Sequence, residues 1–191
     1  MSKPQPLATS QNNLTPVSDR KPAVVSVDTA ARLREIRALV AANNRSSVDT
    51  DTLICQIYME SRFEANAKAQ GSSARGLMQL LKAPVRELYR LENLKKPRVE
   101  RLEESELYRQ ADAFHASQQL VDEAINIQTG TRYLEHLVQK HTRKAAADPI
   151  AEAYKDYRGL RNGVYYRKIK AAAEKLRTSP ESMQVLREMV Q

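Results

Sequence analysis

The chain has one cysteine, no tryptophan and two phenylalanines in 191 residues. A lone cysteine excludes an internal disulfide, so the fold must rest on packing. The length suffices for one domain with a real core and a tail, and is short for two ordinary domains. Cys55 stands in the apolar run Leu53, Ile54, Cys55, Ile57 and reads as a small buried hydrophobe, since a nucleophile would want a histidine nearby. The histidines are His115, His136 and His141, none of them spaced with cysteines or carboxylates as metal ligands are. Neither a metal nor a cofactor is expected. No segment approaches the ~18 apolar residues of a membrane helix, so membrane insertion is not expected. Met1 to Lys21 likewise lacks the ~7–15-residue apolar core of a secretory signal.

What the chain does have is positive charge, a formal net of +8. That favours a polyanionic partner: nucleic acid, anionic lipid or a bacterial wall decorated with peptide and teichoic acid. Nucleic acid is the weakest of these. The positive charges are interspersed with acids, and no helix-turn-helix with a clear recognition helix is legible.

Residues 1–26 are rich in Ser, Thr, Gln, Asn and Pro without periodicity, and read as a disordered polar leader. The domain is expected to occupy residues 27–191. Asp28 can cap a first helix carrying Ala31, Leu33, Ile36, Leu39 and Val40, which Asn43, Asn44 and Ser46 end. A second helix from Asp49 or Asp51 carries Leu53, Ile54, Ile57 and Tyr58 on one face and runs out between Glu60 and Phe63. The pattern predicts helix again over Leu77–Leu91, with Pro84 in a first turn or at a bend. Lys95–Arg109 is dense in charge and reads as a surface connection or loose helix with a solvated face. Phe114–His141 is the longest helical pattern, followed by helices near Pro149–Tyr157, Val164–Arg177 and from Pro180. With no strand pattern longer than a few residues and no internal repeat, the fold class is all-α.

Glu60 sits where its helix runs out, in Ile57-Tyr58-Met59-Glu60-Ser61-Arg62-Phe63. The helix dipole puts partial negative charge at that end, and apolar neighbours add to the cost of ionising a carboxyl there. Both raise its pKa, the property a glycosidase general acid needs. Taken alone, the position also suits an ordinary surface glutamate beside Arg62.

Four short strings, in order, give that glutamate a context. Glu60-Ser61-x-Phe63 and Ala67 come first, then Ala74-x-Gly76-Leu77-Met78-Gln79-Leu80. Asn126-Ile127-x-x-Gly130-x-x-Tyr133-Leu134 follows, and then Ala153-Tyr154 with Tyr166-x-Lys168-Ile169 behind it. Together they resemble the lysozyme-like soluble lytic transglycosylases, relatives of the g-type lysozymes, over about residues 50–170. The resemblance implies a lysozyme-like helical domain with Glu60 as the sole catalytic carboxylate, followed by Ser61. It implies that Met78 and Gln79 line the sugar groove and that Tyr154 packs near the acid and hydrogen-bonds it. Asn126 belongs to the third motif, and Gly76 and Gly130 match positions of close backbone approach. Without the motif, Met78 and Tyr133 read as core residues. Three departures stand out: Glu64-Ala65 where the family has Asn-Pro, Gln70 and Ser73 where it has serine and glycine, and Ala153-Tyr154-Lys155-Asp156-Tyr157 in place of Ala-Tyr-Asn-x-Gly.

The implied substrate is the glycan strand of peptidoglycan. In that chemistry Glu60 protonates the glycosidic oxygen between N-acetylmuramic acid and N-acetylglucosamine, and the N-acetyl oxygen stabilises the developing cation. The glutamate then activates the sugar's own O6, which closes a 1,6-anhydro ring. A hydrolytic muramidase on the same fold is the alternative; it needs a second carboxylate to hold water, with Glu64 and Asp156 as candidates. A non-catalytic wall-binding module is a third reading, which the retained Glu60 disfavours. A monomer is expected, acting in the periplasm or wall after release by type III secretion, type VI secretion or phage lysis. The leader would then be an export signal, and secretion machinery or an immunity protein would be further candidate partners.

Overall fold

The computed structural model describes residues 30–67 and 71–191, so the leader, Asp28 and Gln70 lie outside the described residues. Within them the chain forms eight α-helices and no strand. The helices are α1 Ala31–Asn43, α2 Thr50–Ser61, α3 Lys82–Lys95, α4 Glu104–Ala116, α5 Glu123–Arg143, α6 Pro149–Arg158, α7 Val164–Thr178 and α8 Met183–Met189. No helix among the described residues is long and apolar enough to cross a membrane.

The central element is α2. Asp49 caps it, accepting from Thr52 N at 3.1 Å. Every residue from Thr52 to Tyr58 is buried, so the helix is covered on all sides instead of along one stripe. Its covers are α1, α7 and α8. Leu33, Ile36 and Val40 of α1 face it at helical spacing, and so do Ile169, Ala172, Ala173 and Leu176 of α7. Cys55 has no exposed surface, and burial pushes its thiol up to about 12, where it is inert. The long helix α5 forms the second axis, packed on α1, α3 and α6.

Two sequence expectations are corrected and a third, left open between connection and helix, is decided. Leu77–Leu81 is not helical, because Gly76 at φ +77° and Gln79 at φ +47° turn the backbone left-handed. Residues 75–80 instead form a tight loop, closed by Arg75 N to Leu80 O at 3.2 Å and Leu80 N to Arg75 O at 3.0 Å. The charged stretch Lys95–Arg109 is not all connection, since α4 begins inside it. Leu107, Ala111 and His115, four residues apart, bury one narrow stripe amid the charges. Phe114–His141 is not one helix. A 3-10 turn at Gln118–Val121 interrupts it, and α5 restarts behind Asp122, whose carboxylate accepts from Ile125 N at 3.0 Å.

Gly130 lets α5 lie directly on Met78. A Cβ built there would stand 2.4 Å from Met78 Sδ and 3.0 Å from Met78 Cβ. Gly130→Ala should therefore lower stability by about 1–3 kcal/mol, the usual cost of overpacking a filled core. A urea titration with an unchanged slope and a lower midpoint is the expected result, and an unaltered midpoint would mean that Met78 yields freely.

Candidate functional site

The site begins where α2 stops. Arg62, the residue after the helix, has φ +55°, and Phe63 follows at φ +68°. Two successive left-handed residues without glycine are strained, the more so for a bulky aromatic. The strain is held by contacts on both sides. The Phe63 ring is buried edge-on against Tyr58, with ring centroids 5.0 Å apart, and its carbonyl accepts from Arg32 Nη2 at 2.9 Å. The Arg62 guanidinium turns back to donate to Tyr58 O at 2.6 Å and Met59 O at 3.0 Å. These bonds add to the Arg62 N–H already on Tyr58 O, give Met59 O a donor and place a cation at the negative pole of the dipole.

Glu60 lies in that last turn, half-buried. Burial pushes its carboxyl above the usual glutamate range, against the opposing pull of a Tyr165 hydrogen bond and of Arg158 and Arg62 nearby. The Tyr165 hydroxyl donates to Glu60 Oε1. Burial and the neighbouring glutamate hold the Tyr165 phenol well above its ordinary value, so it remains a neutral donor. The Arg158 guanidinium lies over the Tyr165 ring, 5.7 Å from its centroid.

Tyr165 is the residue that motif reading missed. It stands four before Ile169 and on the stripe Tyr165, Ile169, Ala172, Leu176, so the helical period of α7 already turned it toward α2.

Tyr154 does not fill the role expected of it. Its hydroxyl donates to Gln56 Oε1 at 2.9 Å, one helical turn before Glu60, and the side chain has no exposed surface. It can touch neither the acid nor a substrate. The two tyrosines meet α2 on successive turns, Tyr154 at Gln56 and Tyr165 at Glu60, with ring centroids 6.1 Å apart. Tyr166 stacks on Tyr154, with ring centroids 4.7 Å apart.

Met78 is also corrected. With no exposed side chain it is core, as its residue type alone suggests, and only its backbone belongs to the site. Its N–H donates to Asn126 Oδ1 at 2.8 Å, and its carbonyl accepts from the Tyr157 hydroxyl at 2.8 Å. Ser61 is buried, its hydroxyl donated to Ile57 O at 3.1 Å, so it binds its own helix and not a sugar. Gln79 is half-buried, its amide nitrogen donating to Gly76 O at 2.8 Å and Ala67 O at 2.9 Å. Asn126 is wholly buried and also donates to Leu120 O at 2.8 Å and Arg75 O at 3.3 Å. A Cβ on Gly76 would fall 2.1 Å from Asn126 Nδ2. His115 Nε2 meets Leu80 O at 2.9 Å, and Arg75 Nη1 donates to His115 O, so α4 grips the loop from its other side.

Asp156, a candidate second carboxylate, is already engaged. It accepts from Lys140 Nζ at 2.8 Å and pairs with His141 Nε2 and Arg161 Nη1, each at 2.9 Å. Burial would raise its pKa, but the Lys140 and His141 bonds outweigh this and hold it below the usual range. Glu64 is exposed. A cavity of about 400 Å³ lies between α3, α4 and α5, lined among others by Leu88, Tyr89, Leu107, Phe114 and Arg132, and no motif residue reaches it. Among the described residues no group of three or more His, Cys, Asp or Glu could hold a metal ion.

A model of the family described as the transglycosylase SLT domain matches residues 38–155, more than half of the chain. The chain belongs to that family. Neither curated proteins nor solved structures gave a match. Membership makes this SLT-domain protein a peptidoglycan-acting enzyme of the glycosidase or transglycosylase kind. The matched span includes Glu60, Arg62, the 75–80 loop and Asn126 but ends before Tyr157, Arg158 and Tyr165, so the hydroxyl that meets the acid and one of its two arginines come from beyond it.

The two tyrosines separate by experiment. Tyr165→Phe removes a bond that favours the ionised carboxyl, so the Glu60 pKa should rise further. The alkaline limb of kcat/KM on peptidoglycan should move to higher pH. Tyr154→Phe should leave that limb in place and lower Tm instead. It strips the carbonyl of Gln56, whose Nε2 has no partner among the described residues, of its donor as well. Identical pH limbs for wild type and Tyr165→Phe would remove Tyr165 from the acid.

Proposed function

We propose that the protein is a lytic transglycosylase. It cleaves the β-1,4 bond between N-acetylmuramic acid and N-acetylglucosamine to leave 1,6-anhydro ends, with Glu60 as both acid and base. The observation that carries this reading is the state of the carboxyls. Glu60 is half-buried at a helix end, holds its proton to higher pH than an ordinary glutamate and is aimed by the Tyr165 hydroxyl. Of the two candidates for a second carboxyl, Asp156 is neutralised by Lys140, His141 and Arg161, and Glu64 stands exposed past the end of α2. A hydrolase needs a second carboxyl free to activate water, whereas an intramolecular O6 attack needs only one. Tyr165, neutral throughout the working range, steadies the carboxylate left after the first proton transfer and so favours its turn as base.

Glu60→Gln keeps the hydrogen-bond acceptor for Tyr165 but removes the transferable proton. Turnover should fall by at least the ~10²–10⁴-fold that general acid catalysis contributes. Stability should move the other way. A carboxyl with a raised folded-state pKa favours the fold below its unfolded value, and that contribution is lost as pH rises through the folded value. The glutamine variant should therefore match wild type in acid and exceed it in Tm near neutrality. Products of the wild-type enzyme should be one water lighter than hydrolysis products by mass; hydrated ends would assign the muramidase reaction instead.

Delivery belongs to the same proposal. Residues 1–26 would carry the export information and the helical domain all the catalysis. Removing residues 2–25 should spare wall cleavage in vitro and abolish secretion from the native host; undiminished secretion would take the address away from the leader.

A further inference from the structure

Beside Glu60 the helices α5 and α6 build a second feature that the reaction does not use. Tyr157, whose hydroxyl is fixed to Met78 O, holds its ring 5.9 Å from that of Tyr133. Tyr133 in turn walls a shallow recess of about 330 Å³, with Leu137, Lys140, Lys155, Asp156 and Arg161. Three cations and one carboxylate line it, and a second carboxylate, Glu152, stands behind Lys155 and lies 3.8 Å from Arg161. Asp156 is nearly enclosed, at 12 % side-chain exposure, while Lys140 is 40 % and Arg161 71 % exposed. The aspartate accepts from Lys140 and pairs with Arg161, while Lys155 is tied to Glu152. Lys140 keeps two further donors and Arg161 presents the rest of its guanidinium, and these are left for a ligand.

The recess is therefore cationic at its rim and apolar at Tyr133 and Leu137, with its charges held in place before anything binds. It is assembled from the departure in the fourth motif. Lys155 stands where the family has asparagine, Asp156 fills the variable position, and Tyr157 replaces the glycine.

We propose that this recess binds a free carboxylate of the peptide stem that branches from the glycan strand. The proposal rests on the peptidoglycan reading. A stem peptide presents carboxylates beside short apolar side chains, which is the pairing the recess offers. Arg161 and Lys140 take the carboxylate, and Tyr133 and Leu137 take the adjoining apolar group. Tyr157 sets the spacing between this contact and the acid, since the same residue touches the Met78 carbonyl of the site loop. The enzyme thereby prefers strands that still carry uncapped stems over bare glycan.

The test measures binding, with turnover blocked by Glu60→Gln in the full chain. Three glycan fragments of equal length are compared: one with free stem carboxylates, one with those carboxylates amidated and one stripped of peptide. The first should bind about tenfold more tightly than the second, the worth of two exposed charge-assisted contacts. Adding Lys140→Gln and Arg161→Gln should erase that preference. Arg161→Gln alone, at an exposed position that the fold does not need, should erase part of it with Tm unchanged. Undiminished preference in the double variant overturns the proposal, and so does equal weakening toward all three fragments. If the Glu60→Gln protein binds none of the three, the peptidoglycan reading itself fails and the recess falls with it. Binding of every fragment without preference overturns the recess alone.

Discussion

The side chain of Asn126 is the contact on which the catalytic face depends. The loop 75–80 reverses direction through two left-handed residues and has one backbone bridge of its own. Its interior groups lie out of reach of water, so each needs a partner from elsewhere. Asn126 supplies an acceptor to Met78 N and a donor to Arg75 O, and its remaining donor goes to Leu120 O. Only an amide carries both functions on one short planar group, and only a glycine at position 76 leaves room for it. The loop in turn gives Tyr157 its anchor and Gln79 its place, so one amide sets the register between α5, the loop and α6.

A second constraint acts on the acid. Placing a carboxyl at the negative end of a helix and enclosing it costs stability, and the molecule offsets this with a neutral tyrosine and two arginines held at a distance. A closer cation would lower the pKa and spoil the acid; the absence of any donor would leave the carboxylate unsupported once the proton has gone. Arg62 is turned onto the helix carbonyls and Arg158 onto the Tyr165 ring, so both act through the field alone.

How much of this was legible in the sequence varied with the physics involved. Helical periods placed α1, α6 and α7 within a few residues, because each buries a regular stripe against α2 or α5, and α2 itself showed as an apolar run between clear end signals. The period misled at Leu77–Leu81, where apolar residues at helical spacing belong to a loop held by side-chain hydrogen bonds that no periodicity records. It left α4 undecided between connection and loose helix, because its buried stripe is one residue wide under a charged exterior, and it missed the break at Gln118–Val121. The motifs led to Glu60, Asn126 and the glycines, but they encode identity and not aim. Tyr154 lies one helical turn from where its motif implied, at Gln56. The hydroxyl that reaches Glu60 comes from Tyr165, in a segment whose trailing motif had been anchored on its neighbour Tyr166. Partnerships across 98 or 105 residues depend on the packing of α6 and α7, which local pattern does not express.

Arg32 gives the boundary of the domain a meaning beyond similarity. It sits near the start of α1, ahead of residue 38, where the family match begins, yet its guanidinium holds the Phe63 carbonyl and the carboxylates of Glu35 and Glu123 together. A fragment begun at residue 38 would keep Glu60 and every motif after it. It would lose the one cation that ties the strained exit of α2 to the first turn of α5. The working unit of this enzyme therefore begins upstream of its recognisable sequence, with the first turn of α1 serving as a splint for the turn that aims the acid.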